Sequence, residues 1–375
     1  MISGRRLWAM VRKEFIQIRR DRMTFAMIFG IPIMQILLFG YVINTDPRHM
    51  PAAIINFDTG IHSRTLLGGL KNSTYFDFTH TVATEAEGKK LLEQGRVQFL
   101  INIPPHFTRD LQRGDHPKLL IEADASDPVA TSGGLSALNG VLNTALLADL
   151  KGPLAHLKPT PFPVELQIHP LYNPEALSVY NIVPGLMGVV LTMTLVMITS
   201  LAITRERERG TMENLLAMPL RPTEVLFGKI IPYIFVGYIQ IGLILVASRY
   251  LFGVPIHGNL LLLLIGSLFF ITANLAMGIT FSTLAKNQLQ AMQAAMFVFL
   301  PSILLSGFMF PFRGMPLWAQ VIGEILPITH FIRIVRGVML KGIGFADLGP
   351  ELWPIALFAV VILFIGVKRY RQTLD

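Results

Sequence analysis

Arg205-Glu206-Arg207-Glu208-Arg209-Gly210-Thr211-Met212-Glu213-Asn214-Leu215-Leu216-Ala217-Met218-Pro219 separates two long uncharged runs, residues 176–204 and 230–248. Its first five residues are all charged, with alternating sign. Such a segment has to lie in water, because each charge at a bilayer centre costs about 3 kcal/mol or more. Met212, Leu215 and Leu216 nevertheless give it one apolar helical side. The flanking runs, at about 1.5 Å per helical residue, match a hydrocarbon core of about 30 Å. A charged segment with an apolar stripe, pinned between two membrane spans, reads as a docking surface for a soluble partner.

The composition agrees. The chain of 375 residues is 52% hydrophobic and only 15% charged, where an average soluble domain carries about 25% charge. The net charge of +8 does not indicate nucleic acid, since Lys and Arg gather beside apolar runs, as topology signals do. The absence of cysteine excludes disulfides, thiolate metal sites and Cys nucleophiles. The basic start is followed by an apolar run of spanning length without a small-residue cleavage site, so it is not read as a cleavable signal peptide.

In order along the chain, residues 1–22 carry seven Lys/Arg and two acids. Leu7, Val11, Phe15 and Ile18 recur at helical spacing, which predicts an amphipathic helix on the anionic cytoplasmic leaflet; a disordered basic anchor is the plainer alternative. Residues 23–43 form the first span. Residues 44–181 hold 11 Lys/Arg and 14 Asp/Glu and alternate strands (52–57, 98–103, 119–123, 165–169) with helices. A capping box at Thr84 and Glu87 starts one helix, Pro104-Pro105 opens another, and Asp127-Pro128 opens a third that runs to about Leu150. This predicts a small α/β domain with a mixed or parallel sheet. Further spans are expected over 176–204, 230–248, 260–285, 288–312 and 352–367. The mixed stretch 313–341, broken by Pro316 and Pro327, is expected to dip into the outer face as a re-entrant pair of short helices (317–326 and 329–340).

The expected fold class is therefore an α-helical polytopic membrane protein: six transmembrane helices with an extracytoplasmic α/β domain inserted between the first and second. The parts are a cytoplasmic helix (1–22), a first span (23–43), an outer domain (44–181), and a five-helix membrane domain (182–375) with a cytoplasmic loop at 205–229. Sixteen Lys and Arg lie in 1–22, 205–229, at 286 and in 368–375, against five in the opposite short loops. The positive-inside rule then puts both termini in the cytoplasm.

Several chemistries are missing. No G-x-x-x-x-G-K-[ST] occurs, since Gly228-Lys229 is followed by Ile230, so the chain shows no P-loop of its own. H-E-x-x-H and G-x-S-x-G are also missing, and the spans hold almost no ionisable residues of the kind coupled carriers use. Gln35, Gln240, Asn274, Gln290 and Gln293, with several Ser and Thr, are the polar residues of the spans. Interhelical hydrogen bonding explains each of them taken singly, while Gln290 and Gln293 share a helix face and are candidates for a substrate path. His330 is read as a packing or gating residue rather than a metal ligand.

The pattern Arg205-Glu206, Gly210-Thr211, Glu213, Leu215-Leu216 and Pro219, followed by Glu224 and Gly228-Lys229, resembles the cytoplasmic loop of ABC-2-type exporter permeases. Leu300-Pro301-Ser302, Ser306-Gly307-Phe308, Phe310-Pro311, Met315-Pro316 and Arg336-Gly337 resemble that family's fifth span and the segment after it. Asn56-Phe57-Asp58, with the large domain that follows, resembles the bacterial branch with an extracytoplasmic domain. The resemblance covers essentially the whole chain and is silent on substrate. It implies a permease subunit of an ATP-binding cassette exporter in the bacterial inner membrane, itself not an enzyme. It further implies ATP and Mg on separate ATPase subunits, and a second permease copy or sister chain. A periplasmic adaptor and an outer-membrane channel often accompany this branch. Arg205, Glu206, Gly210, Thr211, Glu213, Leu216 and Pro219 then become the ATPase-coupling surface, with Leu7, Val11, Phe15 and Ile18 on a connecting helix. Gln290, Gln293, Pro301, Gly307, Pro311 and Arg336 become candidates for the gate or translocation path. A receptor or scaffold using the outer domain for ligand or partner binding is the alternative. A receptor would need a cytoplasmic output domain, and only eight residues follow the last span.

Overall fold

The structure is a computed structural model that describes residues 4–42, 48–124, 128–149, 171–175, 177–210 and 222–369. It divides into two compact units, one of residues 1–43 with 171–375 and one of residues 44–170. The first unit opens with helix α1 (Gly4–Arg20) and helix α2 (Arg22–Val42). Arg19 and Arg20 in the last turn of α1 suit its C-terminal carbonyls. The two helices bend by 66° at Asp21, where the chain leaves helical geometry for one residue.

The second unit is built on a four-stranded sheet in the order β2-β1-β3-β4. Its elements are β1 (Met50–Asn56), α3 (Ile61–Asn72), β2 (Phe76–Thr81), α4 (Glu85–Glu93), β3 (Phe99–Ile103), α5 (Phe107–Arg113), β4 (Leu120–Ala123) and α6 (Pro128–Asp149). The first three neighbours run parallel and β4 pairs antiparallel to β3. Strands β1 and β3 are apolar on both faces because both faces are covered. Ala52, Ile54, Phe99 and Ile101 meet Leu66, Leu70 and Leu138 on one side, and Ala53, Ile55 and Leu100 meet Val82 and Val97 on the other. The capping box forms: Thr84 Oγ1 accepts from the Glu87 N–H at 3.3 Å, and Glu87 Oε2 accepts from the Ala83 N–H at 3.3 Å. Both α3 and β2 lie in a stretch to which the sequence pattern assigned no element. Phe76–Thr81 has Asp, Thr and His interleaved with its apolar residues, and only Phe76 is fully buried. Asp127 and the strand expected at 165–169 fall outside the described residues.

The first unit continues with α7 (Ser178–Ser200), α8 (Thr204–Glu208), α9 (Pro222–Tyr250), α10 (Leu260–Leu284), α11 (Gln288–Leu305), α12 (Leu317–Ile325), α13 (Pro327–Arg336) and α14 (Phe345–Arg369). Among the described residues, five helices are long and apolar enough to cross a membrane, or up to six if the bent pair at the N-terminus is one span. The chain is thus a mostly helical polytopic membrane protein. α7 is its buried centre, packed by α2, α10, α11 and α13. α10 approaches it at Gly278, where a Cβ would lie 2.0 Å from Thr199 Oγ1 and 2.7 Å from the Val196 carbonyl. Phe270 and Phe331 stack at 4.0 Å to tie α10 to α13.

Three boundaries differ from expectation. The fifth span stops at Leu305 rather than 312, because Gly307 adopts φ +78°, which a glycine accepts without strain. The third begins at Pro222, eight residues early, and so carries Glu224 and Lys229 inside the helix, where both are buried. The last runs from Phe345 to Arg369, since Asp347 accepts from the Gly344 N–H and starts it sooner. The pair of short helices after α11 is present, with α13 starting at Pro327 and tightening into a π-turn over Gly337–Lys341.

Candidate functional site

α1 lies against α9, and the chemistry of that contact starts from a missing side chain. A Cβ on Gly228 would fall 2.4 Å from Met10 Cγ, so glycine lets the two helices close. Met10 and Val11 are buried there. One turn along, Glu14 Oε1 accepts from Lys229 Nζ at 2.9 Å, and Lys229 also donates to the Ala202 carbonyl at 3.2 Å. Glu206, on α8, completes the group: its Oε1 is 2.7 Å from Lys13 Nζ and 3.9 Å from Lys229 Nζ. Lys13 lies 3.6 Å from Glu14. Two acids and two bases thus close a neutral quartet in which Glu14 is 3%, Glu206 8% and Lys229 1% exposed. Isolated charges this deep are prohibitively costly, and paired ones hold only in good geometry.

The five-residue helix α8 makes further bonds. Ser282 of α10 accepts from the N–H groups of Ile203 and Thr204 at 2.8 and 3.1 Å, satisfying donors at the helix start. Arg205 pairs with Asp21 at 3.0 Å. Arg207 donates to the Ala285 carbonyl at 3.1 Å, where α10 ends. Glu208 accepts from the Gln288 N–H at 2.7 Å and from its side-chain amide. Those donors hold its carboxyl below the usual carboxylate range. α8 is thereby fastened to α1, α9, α10 and α11. Gly210 follows with φ +70°, a left-handed turn that favours glycine.

These contacts revise the expected surface. Glu206 faces α1 from inside and is not an exposed docking charge. Arg205 is turned to Asp21 and Gly210 shapes the turn. Thr211, Glu213, Leu216 and Pro219 lie outside the described residues. On the connecting helix, Val11 is buried and Ile18 packs on the core, while Leu7 is half-buried and Phe15 sits 5.7 Å from the Phe235 ring. The stripe expected to face lipid is therefore used largely against α9, since Gly228 offers a closer seat than a headgroup layer does. Met10, Glu14 and Ser282 escaped the sequence reading, and Lys229 entered it only as part of the loop pattern. Glu14 and Lys229 were visible as opposite charges set in apolar surroundings, but 215 residues separate them.

The candidate path residues divide. Gln290 Oε1 accepts from the Lys286 N–H at 2.9 Å while Asn287 Oδ1 accepts from the Gln290 N–H at 2.8 Å. This is a capping box at the start of α11, so Gln290 has a structural task. Gln293 and Pro301 are exposed on α11. Gly307 and Arg336 do meet: Arg336 Nη1 donates to the Gly307 carbonyl at 3.0 Å and its Nε to the Asn181 carbonyl at 3.3 Å. Pro311 opens the turn just beyond, Phe312–Gly314. Gln240 joins α2, α7 and α9 through the Ile28 carbonyl at 3.0 Å and the Thr194 hydroxyl at 2.9 Å, the interhelical role expected of it. His330 Nδ1 meets Glu351 at 2.6 Å and Nε2 meets the Glu324 carbonyl at 2.8 Å. Arg333 bonds Glu324 at 2.6 Å and lies over the Phe312 ring at 4.7 Å. This network joins α12, α13 and α14. Among the described residues no three His, Cys, Asp or Glu side chains are placed to hold a metal ion.

The model of the ABC-2 family transporter protein matches residues 22–368. The probable multidrug ABC transporter permease YbhS of Escherichia coli (strain K12) is 30% identical over 390 positions, covering 100% of this chain and 99% of that protein. The probable multidrug ABC transporter permease YbhR of the same strain is 27% identical, covering 98% of each chain. The inner membrane transport permease YhhJ, also from that strain, is 29% identical and covers 86% of each.

Proposed function

The chain belongs to the ABC-2 family of transporters and is a membrane permease subunit of an ABC exporter; on that premise we propose how it couples to its ATPase and what it moves. With the bent N-terminal pair taken as one span, six spans leave both termini on the same side, and the sixteen Lys and Arg of that side against five opposite support the cytoplasm of a bacterial cell, with the unit of residues 44–170 outside. ATP and Mg are bound by a separate ATPase subunit, which docks on the loop after α8 and on α1. A second permease chain completes the pathway, and substrate leaves between the two past residues 313–341. A periplasmic adaptor and an outer-membrane channel rest on the family resemblance alone. The names of YbhS and YbhR support an amphiphilic drug-like cargo.

The observation that carries the coupling reading is the fastening of α8 to four helices. A displacement of the loop after it is passed through Glu206 to α1 and α9, and through Ser282, Ala285 and Gln288 to α10 and α11. In this account Glu206 is a positioning residue within the permease and does not touch the ATPase. The test is Glu206→Gln in the permease co-purified with its ATPase. ATPase binding should be retained, and stimulation of hydrolysis by a transported amphiphile should fall about tenfold. If binding is lost while stimulation per bound complex is unchanged, Glu206 is a docking residue and the reading is wrong.

A further inference from the structure

Beside the quartet, α1 and α8 leave a cavity of about 510 Å³ that neither helix fills. Lys13, Arg20, Arg205 and Arg209 line it, with Asp21 as the one acid and Ile16 as an apolar side chain. Lys13, Ile16 and Arg20 form a single stripe of α1, while Arg205 on α8 and Arg209, the residue that caps the C-terminus of α8, are four residues apart. Lys13 and Arg205 are held by Glu206 and Asp21. Arg20 and Arg209 are exposed and make no ion pair among the described residues. Asp21 does not neutralise four cations, so the cavity carries net positive charge with two guanidiniums to spare. Its flank is apolar: Ile16 and Phe15 are more than two-fifths exposed, and Phe15 touches the ring of Phe235.

We propose that this cavity binds the phosphate headgroup of an anionic membrane phospholipid, with the acyl chain along Ile16 and Phe15. Arg20 and Arg209 present forked donors suited to a phosphodiester. A basic pocket on the cytoplasmic side between helices that meet the membrane is the setting in which such headgroups are held. Because α1 and the C-terminal cap of α8 each supply one spare arginine, the bound lipid bridges the two elements that the quartet joins and stiffens the coupling unit. The inference rests on the cytoplasmic placement proposed above.

The chain has no cysteine, so Gln17→Cys, at the edge of the cavity, gives a single labelling position. The full chain in detergent, carrying an environment-sensitive fluorophore there, is titrated with dioctanoyl phosphatidylglycerol, dioctanoyl phosphatidylcholine and inorganic phosphate. Phosphatidylglycerol should saturate at a concentration at least tenfold below either of the others. Arg20→Gln with Arg209→Gln should raise the midpoint about thirtyfold, roughly fivefold per arginine, while the paired Lys variants stay within a few-fold of the parent. Equal response to phosphatidylcholine, equal response to inorganic phosphate, or an unmoved midpoint in the Gln pair would overturn the proposal. Complete displacement of the lipid by added ATPase subunit would also overturn it, and would make the cavity a protein interface. Labelling of the same cysteine by a membrane-impermeant maleimide in intact cells would refute the cytoplasmic placement and leave the detergent titration standing.

Discussion

Lys229→Met is the sharpest test of the quartet. At 2.9 Å from Glu14 and 3.9 Å from Glu206, the Lys229 ammonium has gross attractions of about 6 and 4 kcal/mol at an effective dielectric constant of about 20. Desolvation offsets most of this, so the whole pair is worth little over an apolar substitute, but removing one partner strands the other at about 3–5 kcal/mol. Lys13 remains beside both acids at 2.7 and 3.6 Å, which puts the expected loss at the lower end, about 3 kcal/mol. At about 2–4 °C per kcal/mol for a unit of this size, the thermal-unfolding midpoint of the detergent-purified chain should drop by about 6–12 °C. Glu14→Leu alone should cost a comparable amount. The double variant Glu14→Leu/Lys229→Met should recover to within about 2 °C of the parent, because no charge is left stranded. Coupling should not recover with stability: the double variant is expected to fold but to respond less to ATPase binding. A single variant as stable as the parent, or a double variant whose loss equals the sum of the singles, would refute the reasoning.

Three other outcomes follow from the geometry. Gly278→Ala should destabilise by about 1–3 kcal/mol through overpacking against α7; Thr199→Ala should rescue it only in part, since the Val196 carbonyl is also in the way, and thermal unfolding reads both. His330→Phe keeps a ring of similar size but leaves the Glu324 carbonyl without its donor and Glu351 with only Arg333 at 3.5 Å; the expected cost is about 1–3 kcal/mol, seen as early protease cleavage at the α13–α14 junction. For Asp58, slight burial raises the carboxyl pKa, but bonds from the Thr108 hydroxyl and from the N–H groups of Thr108 and Gly60 outweigh it and hold it low. A depressed carboxylate contributes stability above its unfolded value near 3.9, and that contribution is lost as pH falls through the lower folded value. Asp58→Asn should therefore weaken the chain at pH 7 and abolish the acid-induced loosening of residues 57–64 below about pH 4, measured by peptic cleavage at stepped pH.

Much of this architecture was legible because hydrophobic run length and charge placement are local. Residues 260–285 and 288–312 announced two helices with a two-residue turn, while the cap that Asn287 and Gln290 form at the start of the second was seen only in the structure. The boundaries that moved did so for reasons outside their own segment. Lys229 read as a flanking charge that ends a span, yet Glu14 supplies a buried counter-charge, so the helix continues through it. Glu206 stood out in the sequence as a charge of the loop pattern, and such a charge reads as exposed until the residues that cover it are known; here it is buried.

By itself, the sequence determined the polytopic, mostly helical membrane class and the family pattern, because each follows from composition, periodicity or a contiguous motif. Only the tertiary structure decided that Arg205-Glu206 turns inward, that α1 seats on Gly228, and that α8 holds four helices at once. Those facts depend on pairs of residues such as Lys13 and Glu206, 193 positions apart. Ion-pair energy depends on distance and burial in space, and neither quantity is written along the chain.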